Sequence, residues 1–358
     1  MRQAAASNGI NYELDPELDK RRRDAEIFTS DFSTRQERIF SEKMEEILGP
    51  RRLRGQPLDQ RLTNIAASGQ KQLEIVATEV IRTAIRETGC GDVCIAGGVG
   101  LNCKMNMEIA AEPGVKRLYV PPVPHDAGVA LGAAMLKCAE AGHRITPLTH
   151  AYWGPEYSND TIRETLDKIG ARFELLDDPV ARCVTDLADQ KTVGWFQGRM
   201  EYGPRAGQPL DPGRSAPRGH EGPHQPHDQV REEFRPFCPS VLYDRQADYF
   251  ENAFDAPFMV VTFPVNAKVA ETMPAVVHVD NTARIQSVYE GSNPLYSRLI
   301  GAFAKAASLP VLINTSLNIN EQPTANAPLE ALHTYFCSGL DVLYLGNYRL
   351  SKSPRAAA

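Results

Sequence analysis

Two glycines and a valine, Gly97-Gly98-Val99, stand between a short apolar run at residues 93–96 and a predicted helix. Because glycine has no side chain, backbone amides at such a turn can approach a phosphate or a ribose, and the amino end of a helix favours an anion. The spacing is not the dinucleotide GxGxxG fingerprint, since the third glycine interval is absent. The pattern therefore predicts either a nucleotide-binding loop or an ordinary tight turn.

Asp126 follows a second apolar run, at residues 117–120, and stands directly before a predicted helix. An aspartate in this position can cap the helix by accepting from its first backbone amides. It can also ligate a divalent metal ion at the rim of a nucleotide cleft, since hard cations prefer carboxylate oxygens. The sequence leaves both roles open.

Residues 207–229 differ from everything around them, with five prolines, three histidines and a single leucine. His220, His224 and His227 have a spacing that would suit a metal, but no helical or strand period supports them. Restoring two bases after the Ala206 codon permits Leu-Gly-Asn-Arg-Ser-Ile-Leu-Ala-Asp-Pro, and one further lost base before Arg231 returns the frame. We interpret the segment as translated out of frame, and expect it to be loosely packed because it has few side chains to bury.

The elements that must position these residues alternate between helix and strand. An apolar period of 3.6 predicts a helix from Asn64 that ends at Gly89. Further helices are predicted at 129–141, 160–169, 295–307 and 327–338, and strands at 93–96, 117–120, 192–197, 275–279, 284–288, 310–313 and 342–345. The first part is therefore predicted to be α/β and the second to be mixed α and β.

The composition sets limits on the kind of protein. A length of 358 residues fits two domains, and no apolar run approaches the ~18 to 20 residues of a membrane span. Seven cysteines without a CxxC pair fit a reducing compartment, and the amino end lacks the apolar core of a signal peptide. The net charge of −6 argues against a nucleic-acid partner. We expect a cytoplasmic protein with neither nucleic acid nor membrane as partner.

Seven motifs, taken in order, resemble the O-carbamoyltransferases that modify nodulation factors, cephems and aminoglycosides. The resemblance covers residues 62–352 apart from 207–229. The motifs are NIAASGQ at 64–70, AGGVGLNC at 96–103, DAGVALGAA at 126–134, GWFQGRMEYGPRA at 194–206, FRPF at 234–237, HVDNTARIQ at 278–286 and NTSLN at 314–318.

The resemblance implies the carboxyl half of an actin-like ATPase domain at 61–147, followed by a YrdC-like α+β domain at 148–352. Residues 1–60 would be a remnant or linker and 353–358 a tail. In the family, the YrdC-like domain converts carbamoyl phosphate and ATP into carbamoyl adenylate. The actin-like domain then passes the carbamoyl group to a hydroxyl of a small molecule or glycan at a nucleotide-bound iron site. Magnesium could accompany the ATP.

Residue by residue, the resemblance implies three groups of site residues. Guanidiniums suit dense anions, because they form bidentate contacts to phosphate and stabilise charge during adenylation. The implied catalytic arginines are Arg199, Arg205, Arg235 and Arg284. The implied nucleotide or carbamoyl-phosphate contacts are Gly97, Gly98, Val99, Asn102, Gln286, Asn314, Thr315, Ser316 and Asn318, and the implied metal ligand is Asp126.

Departures from the family pattern lower the activity expected of this chain. No segment of residues 1–62 resembles the family's His-rich metal helix, so we expect an amino-truncated protein that does not retain iron. Out-of-frame residues replace the family's Leu-Gly-Asn-Arg-Ser. Two other readings stay open: a non-catalytic remnant that binds ATP weakly, and an ATP enzyme of the tRNA threonylcarbamoyl-transfer or sugar-kinase kind.

Overall fold

A computed structural model describes residues 5–8, 11–14, 42–53, 56–204, 210–211, 237–307, 310–319 and 322–352. The chain divides into two compact units, one of residues 1–94 and 104–119, the other of residues 95–103 and 120–358. The predicted boundary at residue 147 stays a prediction. Within the described ranges, no helix combines the length and the apolar character needed to cross a membrane.

The described secondary structure is mixed. Its helices are α1 Glu42–Leu48, α2 Gln60–Thr88, α3 Cys103–Ala110, α4 Val129–Glu140, α5 Asn159–Lys168, α6 Pro179–Ala188, α7 Ala267–Thr272, α8 Pro294–Ala307 and α9 Pro328–Cys337. Its strands are β1 Ala5–Asn8, β2 Asn11–Leu14, β3 Asp92–Cys94, β4 Arg117–Tyr119, β5 Glu174–Leu175, β6 Val193–Phe196, β7 Leu210–Asp211, β8 Cys238–Leu242, β9 Phe263–Pro264, β10 Thr282–Ala283, β11 Gln286–Val288, β12 Val311–Asn314, β13 Val342–Leu345 and β14 Tyr348–Ser351.

The first unit contains α2 and the parallel pair β3–β4. Helix α2 begins after Asp59, whose carboxylate accepts from the Leu62 amide, and ends at Gly89. Gly89 has a φ of 69°, the left-handed conformation in which glycine is favoured as a helix terminator. The predicted helix and its end at Gly89 are confirmed.

The second unit is built around an eight-stranded sheet in the order β11-β8-β12-β7-β6-β13-β14-β5. Strand β13 runs parallel to β6 and antiparallel to β14, while β8 runs parallel to β11 and antiparallel to β12. Helices cover both faces. Along β13, Val342 and Tyr344 pack with α6 and α8, whereas Leu343 and Leu345 pack with α5 and α9. A strand buried on both faces reads as a continuous apolar run, which explains the confirmed strand prediction at 342–345.

One sequence prediction is wrong, and another lies mostly outside the described residues. The strand predicted at 275–279 is absent, since Pro274–Val276 forms a 3-10 turn whose first residue, a proline, has no amide to donate. Residues 207–229 fall mostly outside the described residues, but Leu210–Asp211 pairs with β12 and β6 as strand β7. Backbone groups can complete a sheet whatever the side chains, so composition alone could not predict this pairing. The actin-like and YrdC-like assignments stay predictions.

A buried ionic cluster joins α6 to the strands β13 and β14. Asp186 accepts two bonds from the Arg349 guanidinium, at 2.7 and 2.9 Å, one from Tyr344 at 2.6 Å and one from Lys191 at 2.8 Å. Burial raises the pKa of Asp186, but the bonds from Arg349, Lys191 and Tyr344 outweigh burial and lower it to about 2. A paired, hydrogen-bonded carboxylate is the form in which a buried charge is tolerated.

Asp186→Asn should lower the free energy of unfolding by about 3 kcal/mol, because it leaves the buried Arg349 without its main counter-ion. Asp189→Asn is the matched control, since Asp189 pairs with the same Lys191 from an exposed position; it should change stability by less than about 0.5 kcal/mol. Urea unfolding at neutral pH measures both. Equal effects of the two substitutions would contradict the assigned role.

The cluster also predicts a pH dependence of stability. Because the folded pKa of Asp186 is about 2 and lies below the unfolded value, its contribution is full above the unfolded pKa. About 2 kcal/mol should be lost as the pH falls from about 5 to about 2. Comparing urea midpoints of the wild type and Asp186→Asn over that range isolates this term, and parallel pH curves would argue against it.

Candidate functional site

Backbone hydrogen bonds fix the position of the segment at residues 198–204, which belongs to the motif at 194–206. Residues 200–202 bond to residues 151–155: the Tyr202 amide donates to the Ala151 carbonyl at 2.6 Å and the Gly154 amide to the Met200 carbonyl at 2.9 Å. Gly203 has a φ of 133°, and a Cβ there would lie 2.8 Å from the Pro122 carbonyl oxygen, so a larger residue would not fit. This frame turns the Glu201 side chain inward, where the residue is 8% exposed.

Glu201 begins a chain of buried side chains. The Gln286 amide donates from Nε2 to Glu201 Oε1 at 2.7 Å, and its Oε1 accepts from Asn314 Nδ2 at 2.7 Å and Ser240 Oγ at 2.8 Å. Ser240, Gln286 and Asn314 are each at most 3% exposed. We refer to Glu201, Gln286, Ser240 and Asn314 as the amide chain. Such networks hold their members in one arrangement because every broken bond leaves a buried polar group.

Tyr152 contacts the Glu201 end of the amide chain. Its backbone forms an isolated antiparallel bridge with Glu201. Burial and the neighbouring Glu201 carboxyl group raise the pKa of Tyr152 well above its usual range, with a hydrogen bond between the two side chains adding to the effect. A tyrosine keeps its proton at neutral pH even at its ordinary pKa, so the Tyr152 phenol can act as a donor toward Glu201.

Arg284 lies at the same edge of the sheet as the amide chain. Its Nε donates to Cys238 Sγ at 2.7 Å, and Cys238 is paired in register with Asn314. Ser240 is in turn paired with Gln286. Three of the residues implied by sequence, Arg284, Gln286 and Asn314, thus gather where β8 and β11 begin and β12 ends. A guanidinium beside uncharged amides is a suitable set of donors for an anion.

Two open clefts border this edge, and Glu201 lines both. One lies along residues 195–201 with Leu317, Thr324 and Ala325 on its other side, and encloses about 390 Å³ when the adjoining open solvent is included. The other, of about 230 Å³, is lined by Glu201, Gln286 and the segments 202–203 and 257–259, together with Pro122 and Ala151. Ligands of α/β proteins commonly bind in such crevices at strand ends.

Other implied residues lie apart from the amide chain. Arg199 lines the larger cleft, but its exposed side chain donates to the Gly154 carbonyl at 3.0 Å and is 3.6 Å from Glu156. Asn318 bonds the Ile319 and Gln322 carbonyls and so supports its own loop. Thr315 and Ser316 are half-buried in the turn after β12. Arg205 and Arg235 lie outside the described residues.

The glycine loop is exposed at Gly97, Gly98 and Val99. Gly97 has a φ of 95° and donates its amide to the Pro124 carbonyl at 2.7 Å, and a 3-10 turn, Gly98–Leu101, follows it. Asn102 ends that turn by donating its amide to the Val99 carbonyl at 2.9 Å. The loop is therefore held in place by its own backbone bonds. Whether a nucleotide binds there stays a prediction.

Asp126 is exposed at the start of a 3-10 turn, Asp126–Gly128. The capping role that the sequence left open for it belongs to His125, whose Nδ1 accepts from the Ala127 amide at 3.1 Å. In the part of the chain that the structure describes, no three His, Cys, Asp or Glu side chains are grouped so that they could hold a metal ion. The described residues do not fit an iron site.

Sequence reasoning missed Glu201, Ser240 and Tyr152. Glu201 stands inside the motif at residues 194–206. Its neighbours Met200 and Tyr202 have largely apolar side chains, and a carboxylate between such residues was the one sequence signal that it is buried. Ser240 and Tyr152 carry no such signal. Their part in the site depends on strand register and on the bridge to Glu201, which only the fold supplies.

Comparison with known protein families finds one matching profile in each part of the chain. The profile described as "Carbamoyltransferase N-terminus" matches residues 22–135, and that described as "Carbamoyltransferase C-terminus" matches residues 184–352. The second match contains the whole amide chain.

Several individual proteins are similar to most of this chain. Nodulation protein NolNO of Sinorhizobium fredii is 34% identical over 84% of this chain and 46% of its own length, and nodulation protein NolO of Bradyrhizobium diazoefficiens is 34% identical over 85% and 57%. Nodulation protein U of Sinorhizobium fredii is 30% identical over 77% and 50%. The chain spans about half the length of these curated relatives. Since the two family profiles together match residues 22–135 and 184–352, the chain belongs to the carbamoyltransferase family.

Proposed function

We propose that the edge of the sheet around Arg284 and the amide chain binds carbamoyl phosphate and ATP for formation of carbamoyl adenylate. The observation that carries the proposal is the convergence of Arg284, Gln286 and Asn314, which are distant in sequence, at one strand end inside the region that matches the carbamoyltransferase C-terminus. A hydroxyl of a small molecule or glycan would be the final acceptor of the carbamoyl group.

The chemistry of the site supports this proposal. Water first cleaves the bond between the carbamoyl oxygen and phosphorus of carbamoyl phosphate, which gives carbamate and inorganic phosphate. The carbamate oxygen then attacks the α-phosphorus of ATP and displaces pyrophosphate, so negative charge accumulates on phosphate oxygens. A half-buried guanidinium such as Arg284 stabilises that charge more than an exposed one, because solvent screens it less. Amide and hydroxyl groups of the amide chain, fixed by their mutual bonds, need little reorganisation when a ligand binds.

We further propose that the chain as written is impaired. Arg205 and Arg235 stand on either side of residues 207–229, where the family's Asn-Arg-Ser donors are replaced. Adenylation requires both arginines in one anion pocket, and an error of about 1 Å in holding them can already reduce the rate about a hundredfold. Loss of one preorganised donor removes on the order of 3 kcal/mol of transition-state stabilisation.

Restoring the in-frame segment should therefore restore adenylation. The chain as written is expected to show no carbamoyl-phosphate-dependent release of pyrophosphate from ATP, whereas the restored version releases it. The two proteins are assayed side by side, each with and without carbamoyl phosphate, so that background hydrolysis of ATP is subtracted.

The outcomes separate the competing readings. If the unrestored chain releases pyrophosphate only when carbamoyl phosphate is present, the claim that it is impaired is wrong. Pyrophosphate release that is the same with and without carbamoyl phosphate favours another kind of ATP-dependent enzyme. ATP binding without any release in a well-folded restored chain favours a non-catalytic remnant and counts against the carbamoyl-adenylate proposal itself.

Arg284 and Arg199 should differ in their importance. Arg284→Lys keeps the charge but loses the planar fork, and should weaken carbamoyl phosphate binding about tenfold. Arg199→Lys, at an exposed site already paired with Glu156, should weaken it less than about threefold. Titration calorimetry on the two variants measures both, with urea midpoints to confirm folding. A larger loss at Arg199 would place the anion in the larger cleft instead.

A further inference from the structure

The amide chain has a direction, and Glu201 sets it. An ionised carboxylate has oxygens that accept and no hydrogen to donate. Gln286 must therefore turn its NH2 group toward Glu201, as it does at 2.7 Å, and its carbonyl oxygen toward the other side. The protonated phenol of Tyr152 adds a second donor to the same carboxylate. Gln286 and Tyr152 both treat Glu201 as an acceptor.

The next link of the amide chain follows from the first. The carbonyl oxygen of Gln286 needs donors, which are the Ser240 hydroxyl and the Asn314 NH2 group. Because Asn314 turns its NH2 group toward Gln286, its own carbonyl oxygen, Oδ1, points away from the amide chain. This oxygen is buried and has no hydrogen-bond partner among the described residues. A buried acceptor without a donor is unfavourable, so it marks a position where a ligand donor would be stabilised.

We propose that Oδ1 of Asn314 accepts an N–H of the carbamoyl amide group, and that Glu201 is a positioning residue that keeps this oxygen turned away from Gln286. The inference rests on the proposed function, since it concerns the donor substrate of the same site. A carbamoyl group differs from an acetyl group in having NH2 in place of CH3. A site with a buried acceptor rejects the analogue that lacks the donor, because the acceptor then stays unpaired.

The direction of the amide chain can be tested without a ligand. Asn314→Asp places a carboxylate against the carbonyl oxygen of Gln286, so two acceptors face each other and the unfolding equilibrium constant should rise at least about tenfold. Adding Glu201→Gln allows every hydrogen bond of the amide chain to reverse its direction. The amide introduced at position 201 then donates to the Gln286 carbonyl oxygen, and the Gln286 NH2 group donates to the carboxylate introduced at position 314. The double variant should recover most of the loss in urea unfolding.

Glu156→Gln combined with Asn314→Asp is the matched control. It removes the same charge from an exposed residue of the same region, and should recover nothing. If Glu201→Gln restores the stability lost in Asn314→Asp and Glu156→Gln does not, the proposed direction of the hydrogen bonds in the amide chain is supported. Equal rescue by both, or rescue by neither, overturns it.

Ligand selectivity tests the role of Asn314 directly, in the chain as it exists. Carbamoyl phosphate should bind at least about tenfold more tightly than acetyl phosphate, which shares its phosphate and carbonyl groups. Asn314→Leu should bring the two affinities within about twofold of each other by weakening carbamoyl phosphate alone. Titration calorimetry at low temperature gives the four dissociation constants.

Each result has one meaning. A selectivity that disappears in Asn314→Leu supports the inference. Equal binding of both ligands by the wild type overturns the inference and leaves the proposed function standing. If only the version with the restored in-frame segment binds, the same four dissociation constants are measured in it. Binding of neither ligand by either version overturns both proposals, because the anion site is then missing even with its donors restored.

Discussion

The register of β8 between β11 and β12 is the constraint on which the candidate site depends. Ser240 stands opposite Gln286 on one side, and Cys238 stands opposite Asn314 on the other. Because successive side chains of a strand point to opposite faces, a slip of one residue would turn Cys238 and Ser240 away from their partners. The bonds to Arg284 and Gln286 would then be lost together. The arrangement of the candidate site thus depends on the pairing of three strands and not on any single sequence motif.

The sequence was informative where a local signal and the fold agree. Helix α2 could be predicted to end at Gly89 because glycine suits the left-handed conformation that the cap needs. Strand β13 could be predicted because it is buried on both faces and reads as an apolar run. Asn314 could be placed at a strand end for the same reason, since β12 is apolar up to that residue. In each case neighbouring residues determine the structure.

The remainder could not be predicted because it depends on residues far apart in the chain. Glu201 becomes buried only through the pairing of residues 200–202 with residues 151–155. Arg199 and Arg284 carry the same guanidinium, yet one is exposed beside Glu156 and the other is half-buried beside Cys238. Helix α6 was not predicted although Asp178 and Pro179 give it a cap and a favourable first residue. Its buried Asp186, which pairs with Arg349, makes its inner face look polar in sequence.

Strand β7 has a consequence for how the second unit holds together. In the described part of the sheet, two pairs of residues join β7 to β12 and one pair joins it to β6. The backbone ladder is therefore narrowest at its centre, between one half made of β11, β8 and β12 and another made of β6, β13, β14 and β5. Helices α6 and α8 pack across both halves in a single apolar core. Cooperativity between the halves must pass mainly through side-chain packing, so loosening that core would let them exchange amide hydrogens as two separate foldons.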